Sequence, residues 1–267
     1  MIINIDPVAL YIPLPLIGWW PIHWYGITWL IAIFGILWYS KKIVTKKTPF
    51  DKNDVDNFLF YGVLGAIIGG RLGYMFFYGI EQIFADPLSI LRIWEGGLSF
   101  HGGFIGVLFS FFIFSKKLNI GFFDLADHIA LAFPIGLGFV RIGNFLGGEL
   151  LGRPTDLPWG MIFWSDPLQI SRHPSQLYQA FFEGVVLFTI LNLLVIKPKP
   201  KIFISGMFLA LYGSFRIFTE IFRMPDSHIG FDFLDIITRG QLLSTPMVII
   251  GLLLIFLSYR NKNETIS

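Results

Sequence analysis

Cysteine is absent from the 267-residue chain. That excludes a disulfide framework, a thiolate metal site and a cysteine nucleophile belonging to the chain itself. Charge is scarce: 14% of residues are Asp, Glu, Lys or Arg, against about 25% in ordinary globular domains. The net charge of +2 is too small to hold a polyanion, so no nucleic-acid partner is expected. Met1–Gly18 contains neither Lys nor Arg. A cleaved signal peptide needs a positive n-region, so this end is expected to be retained. Neither a metal nor a cofactor is expected.

What is abundant is apolar. Hydrophobic residues make up 54%, with 30 Phe and 8 Trp, and the mean hydropathy is +0.67. Disorder needs low hydrophobicity and is excluded. No soluble domain of this length has enough interior for so much apolar surface, so the natural solvent is a bilayer. A spanning helix needs about 20 mostly apolar residues. Seven candidates occur, at about 19–40, 58–78, 99–115, 124–147, 175–196, 202–221 and 241–259. The expected fold is an all-α, polytopic membrane protein, with residues 1–267 forming a single transmembrane domain.

The basic residues of the connections are unevenly shared. Twelve Lys or Arg fall on one side, including Lys41, Lys42, Lys46, Lys47 and Lys52; five fall on the other, namely Arg92, Arg153, Arg172, Arg223 and Arg239. The positive-inside rule then puts the N-terminus outside and the C-terminus in the cytoplasm. The outer connections are longer and rich in Trp, Pro, Gly and His, and 148–174 and 222–240 are expected to form a small external cap.

Three arginines, Arg71, Arg141 and Arg216, fall inside these spans. An arginine near a helix end can snorkel to the headgroups, but at the bilayer centre it costs roughly 2.5–3.5 kcal/mol, which marks a functional position. Span four ends in Arg141-Ile142-Gly143-Asn144-Phe145-Leu146-Gly147-Gly148-Glu149. Arg141 and Asn144 share a face, and the glycine pair should break the helix and bring Glu149 close. Span six carries Tyr212, Arg216, Glu220 and Arg223 at spacings of four, four and three, a continuous stripe in which Arg216 and Glu220 can pair. A purely structural ion pair is the alternative reading of that stripe. Span three opens with Ser99-Phe100-His101-Gly102-Gly103. His101 can act as a general base or simply cap its helix. Its glycines allow close helix approach. Span one opens with His23-Trp24-Tyr25-Gly26, which also fits an interfacial aromatic belt. Two arginines can orient a phosphate, because guanidinium is the bidentate phosphate binder. The residues alone therefore point to a membrane enzyme acting on an anionic lipid at the outer face. A transporter would show polar groups through the whole membrane depth. A lipid-binding scaffold would use the same arginines and leave the lipid intact.

These segments resemble the bacterial prolipoprotein diacylglyceryl transferases. The likeness runs through His23–Gly26, His101–Gly103, Arg141–Arg153, His173–Tyr178, Tyr212–Arg216 and Glu220–Asp226, in order and over nearly the whole chain. The resemblance implies transfer of the diacylglyceryl group of phosphatidylglycerol to the lipobox cysteine in a prolipoprotein signal peptide. A thioether forms and glycerol phosphate leaves, as the first step of lipoprotein maturation. It implies a multi-pass protein of the bacterial cytoplasmic (inner) membrane, in contact with membrane lipids, its active site toward the periplasmic face. It also implies roles: Arg141, Arg216, His101 and Glu220 in the chemistry; Arg141, Asn144, Glu149, Gly152, Arg216 and Tyr25 in binding phosphatidylglycerol; Tyr212, Arg223 and His23 in support. Two positions depart from the usual pattern, Gly147 where many relatives have Asn and Gln179 where many have Glu.

Overall fold

The computed structural model describes residues 2–15, 18–43, 45, 50–225, 231–233 and 237–262, with backbone alone for 95, 100, 101, 231–233, 261 and 262. Lys46 and Lys47 of the first basic connection, and 226–230 and 234–236 of the expected cap, lie outside the described residues.

Each of the seven apolar segments coincides with a helix. In chain order these are α1 (Trp24–Lys42), α2 (Lys52–Tyr78), a short α3 (Ile80–Ala85), α4 (Phe100–Lys117) and α5 (Phe122–Leu146). There follow α6 (Ser175–Gln179) and α7 (Leu187–Leu194), joined by a π-helical turn over Ala180–Val186, then α8 (Phe203–Glu220) and α9 (Arg239–Lys262). The runs Lys52–Tyr78, Phe122–Leu146, Ser175–Leu194 and Arg239–Arg260 are long and apolar enough to cross a membrane. Large apolar side chains stay exposed on most of the long helices, among them Phe34, Phe76, Phe109 and Phe256. Such surface suits lipid tails rather than water. The chain is thus a mostly helical, polytopic membrane protein.

Two expectations need correcting. The fold is not wholly α, because three two-stranded pairs are present among the described residues. Strand β1 (Ile2–Ile3) runs parallel to β4 (Ile162–Phe163), and β5 (Phe231–Phe233) pairs with β6 (Ile237–Thr238). The largest pair, β2 (Val8–Leu14) with β3 (Gly18–His23), takes Trp19 and Trp20 out of the first span, so α1 begins at Trp24 instead. Pro21 is the physical reason. Proline disfavours helical backbone at the residue before it, here Trp20, and it fits a two-stranded ribbon, where every strand is an edge. The second helix, by contrast, starts six residues earlier than its apolar run. Asp51 and Asp54 form a capping box, with Asp54 N–H donating to Asp51 Oδ1 at 2.7 Å and Asp51 N–H to Asp54 Oδ2 at 3.1 Å.

The chain forms two compact units, Ser40–Ala126 and the combination of Met1–Tyr39 with Asp127–Ser267. Inside the first, α2 and α4 meet along glycines. A Cβ on Gly73 would stand 2.8 Å from the Cα of Gly102, and Gly65 and Gly69 lie as close to Gly106. The glycines of the third span therefore serve packing within the chain, as small residues do where helix backbones touch in lipid. Arg71 belongs to this unit and has a structural task. Its guanidinium donates to the carbonyls of Ser89 (2.6 Å), Ile90 (3.1 Å) and Gly97 (3.4 Å), and also to that of Gly96. The buried charge thereby ties the 89–97 connection to α2.

In the larger unit, Asp127 caps the start of α8, accepting from Ile202 N–H at 2.8 Å and Ser205 N–H at 2.7 Å. Glycines again bring backbones together: a Cβ on Gly184 would lie 2.7 Å from the Cα of Gly138. That approach fixes how the π turn sits against α5 and positions the polar residues described next.

Candidate active site

The C-terminus of α5 is built by its own sequence. Gly148 adopts φ +65°, a conformation that glycine reaches without strain. Its N–H donates to Phe145 O at 3.1 Å, and Glu149 N–H donates to Asn144 O at 2.9 Å. These two bonds make a Schellman motif. The chain folds back, and Asn144 Nδ2 donates to Glu149 Oε2 at 3.0 Å. The expected helix break and the meeting of the amide with the carboxylate are both present. A Cβ on Gly147 would touch Glu149 Cγ and Cδ at an ordinary 3.7 Å, so the glycine there leaves space beside that carboxylate.

The connection after α5 has a rigid polar frame. Arg172 grips Asp166 in bidentate fashion, Nε to Oδ2 at 2.8 Å and Nη2 to Oδ1 at 2.9 Å, and donates from Nη1 to Gly152 O at 3.2 Å. The guanidinium beside Asp166 holds its carboxyl below the usual carboxylate range. Leu151–Arg153 pairs with Phe222–Met224: Arg153 N–H donates to Phe222 O at 2.8 Å and Met224 N–H to Leu151 O at 3.0 Å. Gly152 sits where a Cβ would collide with the backbone carbonyl of His173. A side chain there is excluded by close packing rather than by backbone conformation, since its φ is not left-handed. His173 packs edge-on against Phe222 and Tyr178, and burial pushes its imidazole pKa down, favouring the neutral ring. Ser175 Oγ donates to Leu150 O at 3.1 Å, and Gln176 Nε2 donates to Glu149 O. The first turn of α6 is thus stapled to the chain that leaves α5.

The two arginines of the expected site do come together, and the group that joins them is Glu183. It is fully buried at the middle of the π turn. Arg141 Nε donates to Glu183 Oε2 at 3.1 Å, and Arg216 Nη1 lies 3.7 Å from Glu183 Oε1. Arg216 Nη2 contacts Glu220 Oε2 at 2.8 Å, and Arg223 Nη1 lies 3.4 Å from Glu220 Oε1. Three guanidiniums thus share two carboxylates. A buried ion cluster is tolerable only when pairing offsets desolvation. Arg216 Nη1 is buried and makes no hydrogen bond within the protein. Tyr212 stands beside Arg141, Glu183 and Arg216, which completes the stripe read from span six. Gly240 leaves room for Glu220, since a Cβ there would fall 2.7 Å from its carboxylate.

The remaining expected residues divide. The Tyr25 ring abuts α5, its Cδ2 3.1 Å from where a Cβ on Gly143 would be, next to Asn144 in sequence and two residues from Arg141. His23 is exposed at the end of β3, opposite Val8. The side chain of His101 lies outside the described residues. Sequence reasoning passed over Glu183 because it started from the arginines inside the spans and followed only the polar residues on their own helices. A carboxylate in the run Phe181-Phe182-Glu183-Gly184-Val185 carries the same warning. The π turn is a second marker, since such turns gather at functional sites. Among the described residues no group of acidic and histidine side chains could hold a metal.

Comparison with known sequences decides what this arrangement belongs to. A family model for prolipoprotein diacylglyceryl transferase matches residues 12–257. The chain belongs to that family. Curated relatives named phosphatidylglycerol–prolipoprotein diacylglyceryl transferase agree over almost the full length. The protein of Pseudomonas syringae pv. syringae is 47% identical over 260 residues, covering 96% of this chain and 94% of its own. That of Pseudomonas putida is 47% identical over 262 residues, covering 97% and 96%. That of a Marinomonas species is 49% identical over 252 residues, covering 93% and 91%. The chain is therefore an enzyme of the diacylglyceryl transferase class, and the likeness read from its motifs is borne out.

Proposed function

We propose that this diacylglyceryl transferase acts on phosphatidylglycerol and the lipobox cysteine of a prolipoprotein, with Arg141 and Arg216 holding the phosphate that departs. The observation that carries the residue assignment is the convergence of both guanidiniums on the buried Glu183, with Arg216 Nη1 left unbonded. The substrate's thiolate attacks the glyceryl carbon, an S–C bond forms, and the C–O bond to phosphate breaks with its electron pair leaving on the phosphate oxygen. The sulfur comes from the substrate, which is why a chain without cysteine can do this chemistry. Negative charge on the leaving phosphate is met by donors already in place, which lowers the barrier without reorganisation. Glu183 and Glu220 hold the two guanidiniums; Asn144, Glu149 and Tyr25 line the lipid's path beside them. Gly152 shapes the loop, while Tyr212, Arg223 and His23 support. His101 takes the thiol proton; the competing acceptors are solvent and a phosphate oxygen.

The test uses purified protein, phosphatidylglycerol labelled in its headgroup glycerol, and a lipobox peptide. Lipidated peptide and free glycerol phosphate are expected, with none from a Cys→Ser peptide. Intact lipid with folded, lipid-binding protein would leave only a scaffold. Run from pH 6 to 9, the same assay reads His101. His101→Gln is expected to lower the rate by about 10²–10⁴-fold, the usual share of a positioned acid or base, and to remove the rise with pH. An unchanged profile would hand the proton to solvent.

The seven helices cross the inner membrane with the N-terminus outside, the C-terminus in the cytoplasm and the arginine cluster toward the periplasm. The twelve-to-five division of basic residues supports this, and 148–174 with 222–240 forms the outer cap of a single transmembrane domain. Reporter fusions after Lys47 and Lys199 should report cytoplasm, and one near Asp226 the outer side. The reverse pattern would put the cluster on the face that exported substrates do not reach.

A further inference from the structure

Between the ion cluster and the fold-back of Glu149 lies a row of polar groups that neither accounts for. Helix α5 and the Ser175–Leu194 run are antiparallel across three levels. Gly184 abuts Gly138, Glu183 pairs with Arg141, and Gln176 holds the backbone of Glu149, whose carboxylate meets Asn144. Gln179 falls between the second and third levels, three residues after Gln176 and four before Glu183, and so on the same face. Its side chain is fully buried, and neither its Oε1 nor its Nε2 is hydrogen bonded within the protein. The same holds for Oδ1 of buried Asn144 and Oε1 of buried Gln176. Buried polar atoms without partners are rare and costly. Four such atoms lie on residues next to the cation cluster, and a ligand with its own hydrogen-bonding groups would satisfy them.

The chemistry of the four is specific. One amide N–H₂ donates and three carbonyl oxygens accept, and none of these groups carries a charge. A hydroxyl both donates and accepts, so a neutral diol satisfies this set. An ammonium headgroup cannot accept from Gln179 Nε2 and would enter beside Arg141 and Arg216. We propose that Gln179, with the side-chain carbonyls of Asn144 and Gln176, reads the hydroxyl groups of the glycerol headgroup and so makes this transferase select phosphatidylglycerol. The inference rests on the proposed function and adds a specificity residue to it.

The experiment compares phosphatidylglycerol with phosphatidyl-1-propanol, whose headgroup has the same three carbons and no hydroxyl. Full-length protein and the cysteine lipobox peptide are used. Wild type is expected to favour phosphatidylglycerol in kcat/KM, and Gln179→Leu to shrink that preference by about 10–100-fold, the loss typical of a missing polar contact. Thermal stability of the lipid-free variant should be equal or higher, because an unpaired buried amide has been removed; an amide that merely braced the fold would lower it. Gln179→Met, of the same length, repeats the test should the leucine variant fail to fold. Equal use of both lipids by wild type, or an undiminished preference in the variants, overturns the inference and leaves the proposed function standing. Transfer from neither lipid overturns the proposed function as well.

Discussion

Arg216→Ala is expected to reduce diacylglyceryl transfer by at least about 10³-fold in kcat/KM, the range seen when a cationic donor to a transferring phosphate is removed. Arg141→Ala should do the same. The fold should survive either change, because each carboxylate keeps a partner: Glu183 retains one arginine, and Glu220 retains Arg223 after loss of Arg216. Lysine is expected to rescue neither position well, since a point charge cannot reproduce the planar fork that spans carboxylate and phosphate. Glu183→Gln keeps the volume and removes the charge that aims both guanidiniums, so its loss should be intermediate. Initial rates with phosphatidylglycerol and lipobox peptide check the series, with elution of the detergent-solubilised protein as the control for folding. Activity within tenfold of wild type in both alanine variants would end the phosphate-binding assignment.

Asp166→Ala is the substitution with the largest expected effect on stability. It leaves the Arg172 guanidinium buried, with a side-chain exposure of 6%, and strips two of its hydrogen bonds. Breaking one side of a buried ion pair costs about 3–5 kcal/mol, which for a domain of this size lowers the thermal midpoint by roughly 6–20 °C. Proteolysis between 148 and 174 should accelerate in parallel, because Arg172 also holds Gly152 O. The effect depends on pH with a defined sign. Arg172 depresses the folded-state pKa of Asp166, so the contribution is complete above the unfolded value of about 3.9 and fades as pH falls through the lower folded value. The gap between wild type and variant should therefore narrow below about pH 4. A constant gap from pH 7 to 3 would mean that the pair is not its source.

Much of the site was legible because polar residues stand out in apolar spans. Arg141, Asn144, Arg216, Glu220 and Arg223 could be placed on two helix faces by spacing alone, and the Gly147-Gly148 break followed from composition. Glu183 obeyed the same rule and was overlooked; its partner on α5 becomes visible only when Gly138 and Gly184 bring the two backbones together. Arg71 shows the other side of that rule. Its position in a span marked it as functional, yet its charge is used up on the carbonyls of a connection nineteen or more residues downstream in most of its bonds. Gln179 stood out only as a departure from the resembled pattern, since a glutamine next to a helix start is ordinary until its burial and lack of partners are known.

The sequence by itself determined the solvent, the helices and the class of enzyme. Hydropathy, the 3.6-residue period and capping chemistry act over a few neighbouring residues, and the ordered motifs are local strings. Pro21 and the Asp51 capping box were equally local, so the boundaries they moved were there to be read. The tertiary structure alone decided which charges meet, which amides stay unbonded and which arginine is structural. Those outcomes depend on contacts between residues far apart in the chain, 42 positions for Arg141 with Glu183 and 18 to 26 for Arg71 with its carbonyls, and in the larger unit they follow from how closely glycine-lined backbones can approach.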